Sequence, residues 1–155
     1  MTIAETSDMP MLLAELTALR HLDITVGFHA DKKPKREEGA TTNAEVAAAN
    51  EFGTLNNPRR PFLGPAMEEG AAVLQDLQAT TVSAVLAGKM TAEQAAGIVG
   101  EAAVGLVKTK ITSNVPPVLE QATIDAKGSS KTLVDTAQML NAVSYEVHLT
   151  GARGD

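Results

Sequence analysis

The side chains with the widest chemical repertoire are three histidines, His21, His29 and His148. They lie far apart in the chain and never at the i, i+4 spacing that lets one helix face hold a metal. Two pairs of adjacent carboxylates, Glu37-Glu38 and Glu68-Glu69, offer little more, because sequence neighbours diverge on a helix whereas paired-carboxylate catalysis needs them to converge. The first pair balances the basic run Lys32-Lys33-Pro34-Lys35-Arg36; the second suits the positive end of a helix starting at Pro65. The segment GSSKT, Gly128 to Thr132, ends like a phosphate loop. Asp125 and Ser130 stand where such a loop needs glycine, and no apolar strand leads into it. Arg59-Arg60 could join the basic run on phosphates, yet no aromatics interleave for base stacking and acids follow at once. The run therefore reads as a solvated or subunit-bridging loop. Arg153-Gly154-Asp155 matches an adhesion tripeptide, but three residues arise easily by chance. No catalytic residue, metal ligand or cofactor is expected.

Composition narrows the classes further. The 155 residues suit one domain, 1–155, with one hydrophobic core. Hydrophobic residues make up 44%, but much of that is alanine and aromatics are only 3%, so burial gains little per side chain and contacts with other subunits could supply the rest. A net charge of -6 repels a DNA backbone on average, which disfavours sequence-specific nucleic-acid binding. The absence of cysteine removes disulfides and thiolate chemistry and fits synthesis in a reducing cytosol. No export signal and no apolar run long enough to span a membrane is read in the chain, so no membrane partner is expected.

The elements follow from periodicity. Leu12, Leu13, Leu16 and Leu19 predict a helix over 10–20 capped by Asp8, and Leu22, Ile24, Val26 and Phe28 then alternate as a strand. Residues 29–41 are polar and broken by Pro34 and Gly39, a mobile loop. Thr42 and Glu45 have capping-box spacing, and the helix they open runs to Gly53. After the proline-rich connector Leu55 to Pro65, a helical hairpin spans 65–111, with a break possible at Gly70 or at Thr80-Thr81-Val82. Its second arm opens on a Thr91/Gln94 capping box and carries an apolar stripe of Ala95, Ile98, Val99, Ala102, Leu106 and Ile111. Residues 112–131 read as loop. A short AQMLNA helix capped by Asp135 or Thr136 follows, and a final strand over 143–149 pairs antiparallel with the first. The fold class is α+β, a short, mostly antiparallel sheet covered by helices, with a long helical hairpin and extended loops.

One resemblance goes beyond these patterns. Ala48-Ala49-Asn50-Glu51-Phe52-Gly53-Thr54, then Pro58-Arg59-Arg60-Pro61-Phe62-Leu63 and Pro65-Ala66, resemble the "EFGT … PxRPFLxPA" signature of bacteriophage tail-completion and neck (head-tail joining) proteins, of the minor tail protein Z-like or virion-morphogenesis type. The order continues through Ile111, Pro116-Pro117, Thr123, Lys127-Gly128, Leu133 to Leu140 and Ser144-Tyr145, covering roughly residues 22–149. Ala137 replaces the usual glycine, and Val118 intervenes before Leu119.

The resemblance implies a non-enzymatic virion subunit, made in the host bacterial cytoplasm. It implies a homo-oligomeric ring, expected to be a hexamer, that joins head to tail and surrounds the DNA channel without binding DNA specifically. Its partners would be further copies, the head-tail connector, and tail-terminator or tail-tube proteins. A tail terminator capping the tube is the nearest alternative, followed by a small binding module or an enzyme with an unrecognised carboxylate site. The residues singled out for structure or interface are Glu51, Phe52, Gly53, Pro61, Phe62 and Leu63, with Lys32, Lys33, Lys35 and Arg36 on the loop. Phe62 is expected to be buried, either in its own core or in a neighbouring subunit.

Overall fold

A computed structural model describes residues 8–29, 42–113, 115–117 and 138–150. The order of elements is α1 (Met9–Arg20), β1 (Leu22–Gly27), α2 (Asn43–Phe52), α3 (Leu63–Leu86), α4 (Ala92–Thr112), α5 (Gln138–Ala142) and β2 (Ser144–Leu149). The fold is α+β, mostly helical, with β1 and β2 forming a two-stranded antiparallel sheet and α3 and α4 a long helical hairpin. The expected 29–41 loop from residue 30 onward, GSSKT, the Asp135 or Thr136 cap and the terminal tripeptide lie outside the described residues.

The chain divides into two compact units. The first comprises Met1–Val26, Ala71–Ala103 and Tyr145–Asp155. Its core is built from small side chains: Ala92, Ala95, Ala96, Val99 and Ala103 on α4, with Thr81 and Val85 on α3. Glycine extends the pattern. A Cβ on Gly100 would come within 2.6 Å of Tyr145 Cγ and 2.8 Å of its Cε2, so only hydrogen lets the ring lie against the helix. The buried stripe on α4 therefore runs through the alanines. Ile98, expected inside, is 42% exposed, while Ala102 and Leu106 are half-buried, because the face of α4 that packs inward runs through positions 92, 95, 96, 99 and 103 and leaves 98 off it.

Local rules account for the helix starts in this unit. Thr91 and Gln94 exchange capping bonds, Gln94 N to Thr91 Oγ1 at 3.2 Å and Thr91 N to Gln94 Oε1 at 3.0 Å. Glu15 on α1 adds a carboxylate 2.6 Å from Ala92 N, closing another donor of the first turn of α4. Asp8 occupies the N-cap of α1 but makes no side-chain cap bond, since its own backbone is helical (φ -93°, ψ -7°) rather than extended. The far end of β2 is fastened to the start of β1 by Thr150, whose N and Oγ1 donate to His21 O at 2.6 and 2.8 Å.

The second unit comprises Gly27–Gly70 and Val104–Ser144. Phe62, Ala66, Val107, Ile111, Val115, Met139 and Val143 form its core together with Ala47. Phe62 is 1% exposed and meets Phe28 edge-on, with ring centroids 6.0 Å apart and planes at 89°. The Thr42/Glu45 capping box of α2 is complete: Glu45 N donates to Thr42 Oγ1 at 3.2 Å and Thr42 N to Glu45 Oε2 at 2.7 Å. The Thr42 N–H and the Thr42 hydroxyl, the latter at 2.9 Å, both donate to the Glu45 carboxylate, favour its charged form and hold it below the ordinary range.

The break expected in α3 does not occur. At Gly70 the missing side chain is what admits Leu106, whose Cγ would lie 3.2 Å from an added Cβ. The hydroxyls of Thr80, Thr81 and Ser83 fold back onto Asp76 O, Gln78 O and Ala79 O at 2.8 to 3.1 Å, so the polar run is satisfied within the helix. Glu68 and Glu69 fall in the second turn of α3, because the helix starts at Leu63. Glu69 serves instead as partner to Lys110 of α4, at 2.6 Å.

Candidate functional site

The residues singled out between Glu51 and Leu63 come together as one clasp joining the end of α2 to the start of α3. A helix ends with carbonyls that have no intrahelical donor and begins with N–H groups that have no acceptor. The connector Gly53 to Phe62 answers both. Gly53 N donates to Ala49 O at 3.0 Å, Arg60 N to Asn50 O at 2.7 Å, and Arg59 Nε to Glu51 O at 3.0 Å. The Arg59 side chain and the Arg60 backbone thus both close on the C-terminal end of α2, where the charge of Arg59 is also favoured by the helix dipole.

Glu51 then serves the other helix. Its Oε2 accepts from Phe62 N at 2.8 Å and Leu63 N at 2.9 Å, and its Oε1 from Gly64 N at 3.0 Å. The next residue, Pro65, has no N–H, and Ala66 N already donates to Phe62 O at 3.0 Å. No donor in the first turn of α3 is left open. Partial burial opposes the charge on Glu51, but the N–H groups of Gly64, Leu63 and Phe62 and the nearby Arg59 guanidinium outweigh it and hold the carboxyl below its ordinary range. A carboxylate so held is an anchor and a poor proton donor at neutral pH.

Two glycines make room for this geometry. Gly53 has φ +78°, a conformation costly for other residues, and a Cβ there would lie 3.2 to 3.3 Å from the backbone and Cβ of Arg59. It ends α2 as expected, but with ψ 167° the chain leaves extended rather than in the left-handed helical region. At Gly64 a Cβ would lie 3.3 Å from Glu51 Oε1. Arg60 is 9% exposed, its Nε bonded to Pro117 O at 2.9 Å, so it is committed to the fold and closed to phosphate.

The clasp sorts its apolar residues. Phe62 is buried in its own unit, which resolves the alternative left by the sequence, and Pro61 and Leu63 are half-buried. Phe52 and Leu55, in contrast, stand out at 76% and 105% exposure. Thr54 and Asn57 close the turn between them: Thr54 N donates to Asn57 O at 2.9 Å, and Asn57 N to Thr54 Oγ1 at 3.1 Å. The projecting pair therefore stands at the last residue of α2 and on the braced turn that follows it.

Elsewhere the histidines occupy unrelated settings. His29 Nδ1 lies 3.0 Å from Ser144 Oγ, and His148 Nε2 lies 3.3 Å from both Glu146 Oε2 and Thr25 Oγ1. No group of three or more metal-ligating side chains occurs among the described residues. Lys32, Lys33, Lys35 and Arg36 lie outside them. Sequence reasoning picked Glu51 for its place in a motif and missed its job. A usable signal was present, because the start of α3 reads Phe62-Leu63-Gly64-Pro65, with no Ser, Thr, Asp or Asn to cap it, so the cap had to come from a distance. No protein-family model, curated protein or solved structure matches the chain.

Proposed function

We propose that the chain is a structural subunit of a tailed bacteriophage particle, a tail-completion or neck protein that forms a ring joining head to tail around the DNA channel. Support comes from the convergence of the resembling residues on one clasp. Glu51, Gly53, Arg59 and Phe62, spread over twelve positions of sequence, engage one another, Arg60 ties the connector to Asn50 and Pro117, and two apolar side chains are left projecting at the end of α2 and on the turn after it. Such a construction spends its polar groups on holding shape. It gives a small subunit a rigid projection at which neighbours can register, as a ring position in a particle demands. The acidic balance of -6 suits a channel through which DNA slides without being gripped.

Loss of the chain from an assembling particle tests the reading. Filled heads and finished tails that accumulate unjoined, and that join when the purified chain is added back, are the expected result. Overlong tails would move the chain to the terminator position, and normal infectious particles would overturn the reading.

A further inference from the structure

We propose that Phe52 and Leu55 of one copy insert into an apolar groove on the first compact unit of a second copy, so that copies join head to tail. The groove is lined by Leu19 of α1, Leu22 and Ile24 of β1, Val82 of α3 and Ala95 and Val99 of α4, with Gln78, Thr81 and Ala96 completing it. Its volume is about 270 Å³. With few polar groups in its wall, water gains little there, and apolar side chains that displace it gain more.

Copies that each carry -6 repel on average, so a contact between them is least opposed where it adds no like-charge pair. No residue lining the groove is ionisable, and the projecting run Phe52-Gly53-Thr54-Leu55-Asn56-Asn57 has none either. Projection and groove are different surfaces, so each copy offers one and accepts one, and in a ring of copies this makes the contact heterologous. Two side chains cover only a part of the roughly 800 Å² per partner that a stable standard interface buries, so a single contact is weak and transient in free solution. The inference rests on the reading of the chain as a ring subunit, for which it names the contact between copies.

The chain has no cysteine, which makes a site-directed cross-link clean. Copies carrying Leu55→Cys are mixed with copies carrying Val82→Cys, in the groove, or Val73→Cys, which is 59% exposed on the same helix but outside the groove, and oxidised with diamide. The expected result is a Leu55–Val82 heterodimer forming at least about tenfold faster than the Val73 control, the advantage that a raised local concentration confers. Adding Phe52→Ser to the Leu55→Cys copy should abolish that advantage. Gln78→Cys, at the groove, replaces Val82→Cys if the latter fails to fold. Equal rates with the control, or Leu55→Cys copies coupling faster to one another than to the groove, would overturn the proposal. Because the cross-link is read on purified protein, it can fail while the chain is still found in particles, and it can succeed while the chain is absent from them.

Discussion

Removing the carboxylate of Glu51 should loosen the clasp without touching the hydrophobic core. Glu51→Gln keeps the shape and one acceptor oxygen, which can still take the bonds from Phe62 N and Leu63 N, but it turns an amide NH2 toward Gly64 N and deletes the charge facing the helix N-terminus. One lost charge-assisted bond and the lost dipole interaction, discounted because the site is partly open to water, come to about 1–2 kcal/mol. For a chain of this size that is a fall in Tm of about 2–8 °C, readable by circular dichroism or calorimetry. The pH dependence is a sharper check. A carboxyl whose folded pKa is lowered contributes stability that is fully present above its unfolded value, close to 4.5, and is lost as pH falls through the lowered folded value. The difference between wild type and Glu51→Gln should therefore be full at pH 6, begin to close below about pH 4.5, and vanish once wild-type Glu51 is protonated. Glu45 is present in both proteins and cancels. A substitution effect within about 0.5 kcal/mol at pH 6, or a gap that does not close in acid, would refute the clasp.

The remaining predictions follow from packing. Phe62→Ala empties the centre of the second unit and should cost about 3–5 kcal/mol by denaturant unfolding, whereas Phe52→Ser and Leu55→Ser, both at exposed positions, should stay within about 0.5 kcal/mol. Gly100→Ala and Gly105→Ala should move stability in opposite directions though both lie in α4. The first drives a methyl into the Tyr145 ring and should cost about 1–3 kcal/mol, while the second meets nothing within 4 Å and should gain about 0.5–1 kcal/mol. Gly53→Ala forces a side chain into a positive-φ position against Arg59 and should lose about 1–2 kcal/mol. Matched chemical denaturation curves check all of these.

Much of this architecture is written locally. The capping boxes at Thr42/Glu45 and Thr91/Gln94 and the alternation of Leu22, Ile24 and Val26 each depend on residues within a turn or a strand, and each appears where the spacing puts it. What could not be read depends on distant partners. Ile98 outranks Ala96 and Ala103 in hydrophobicity, yet the alanines are buried, because Tyr145 lies against α4 at Gly100, on the face that carries the alanines and not on the one that carries Ile98. Gly70 weakens a helix by propensity and instead makes room for Leu106. Glu51 acts eleven to thirteen residues away, beyond any helical periodicity, and only the missing cap on α3 hinted at it.

The most direct test of the central proposal is electron cryo-microscopy of the intact particle, with this chain fitted into the density between the head and the tail tube. The account predicts a closed ring of copies at the neck, with the Glu51 clasp intact and the Phe52–Leu55 projection turned toward a neighbouring subunit. Particles in which that position is filled by other proteins, and from which this chain is missing by mass spectrometry, would contradict it.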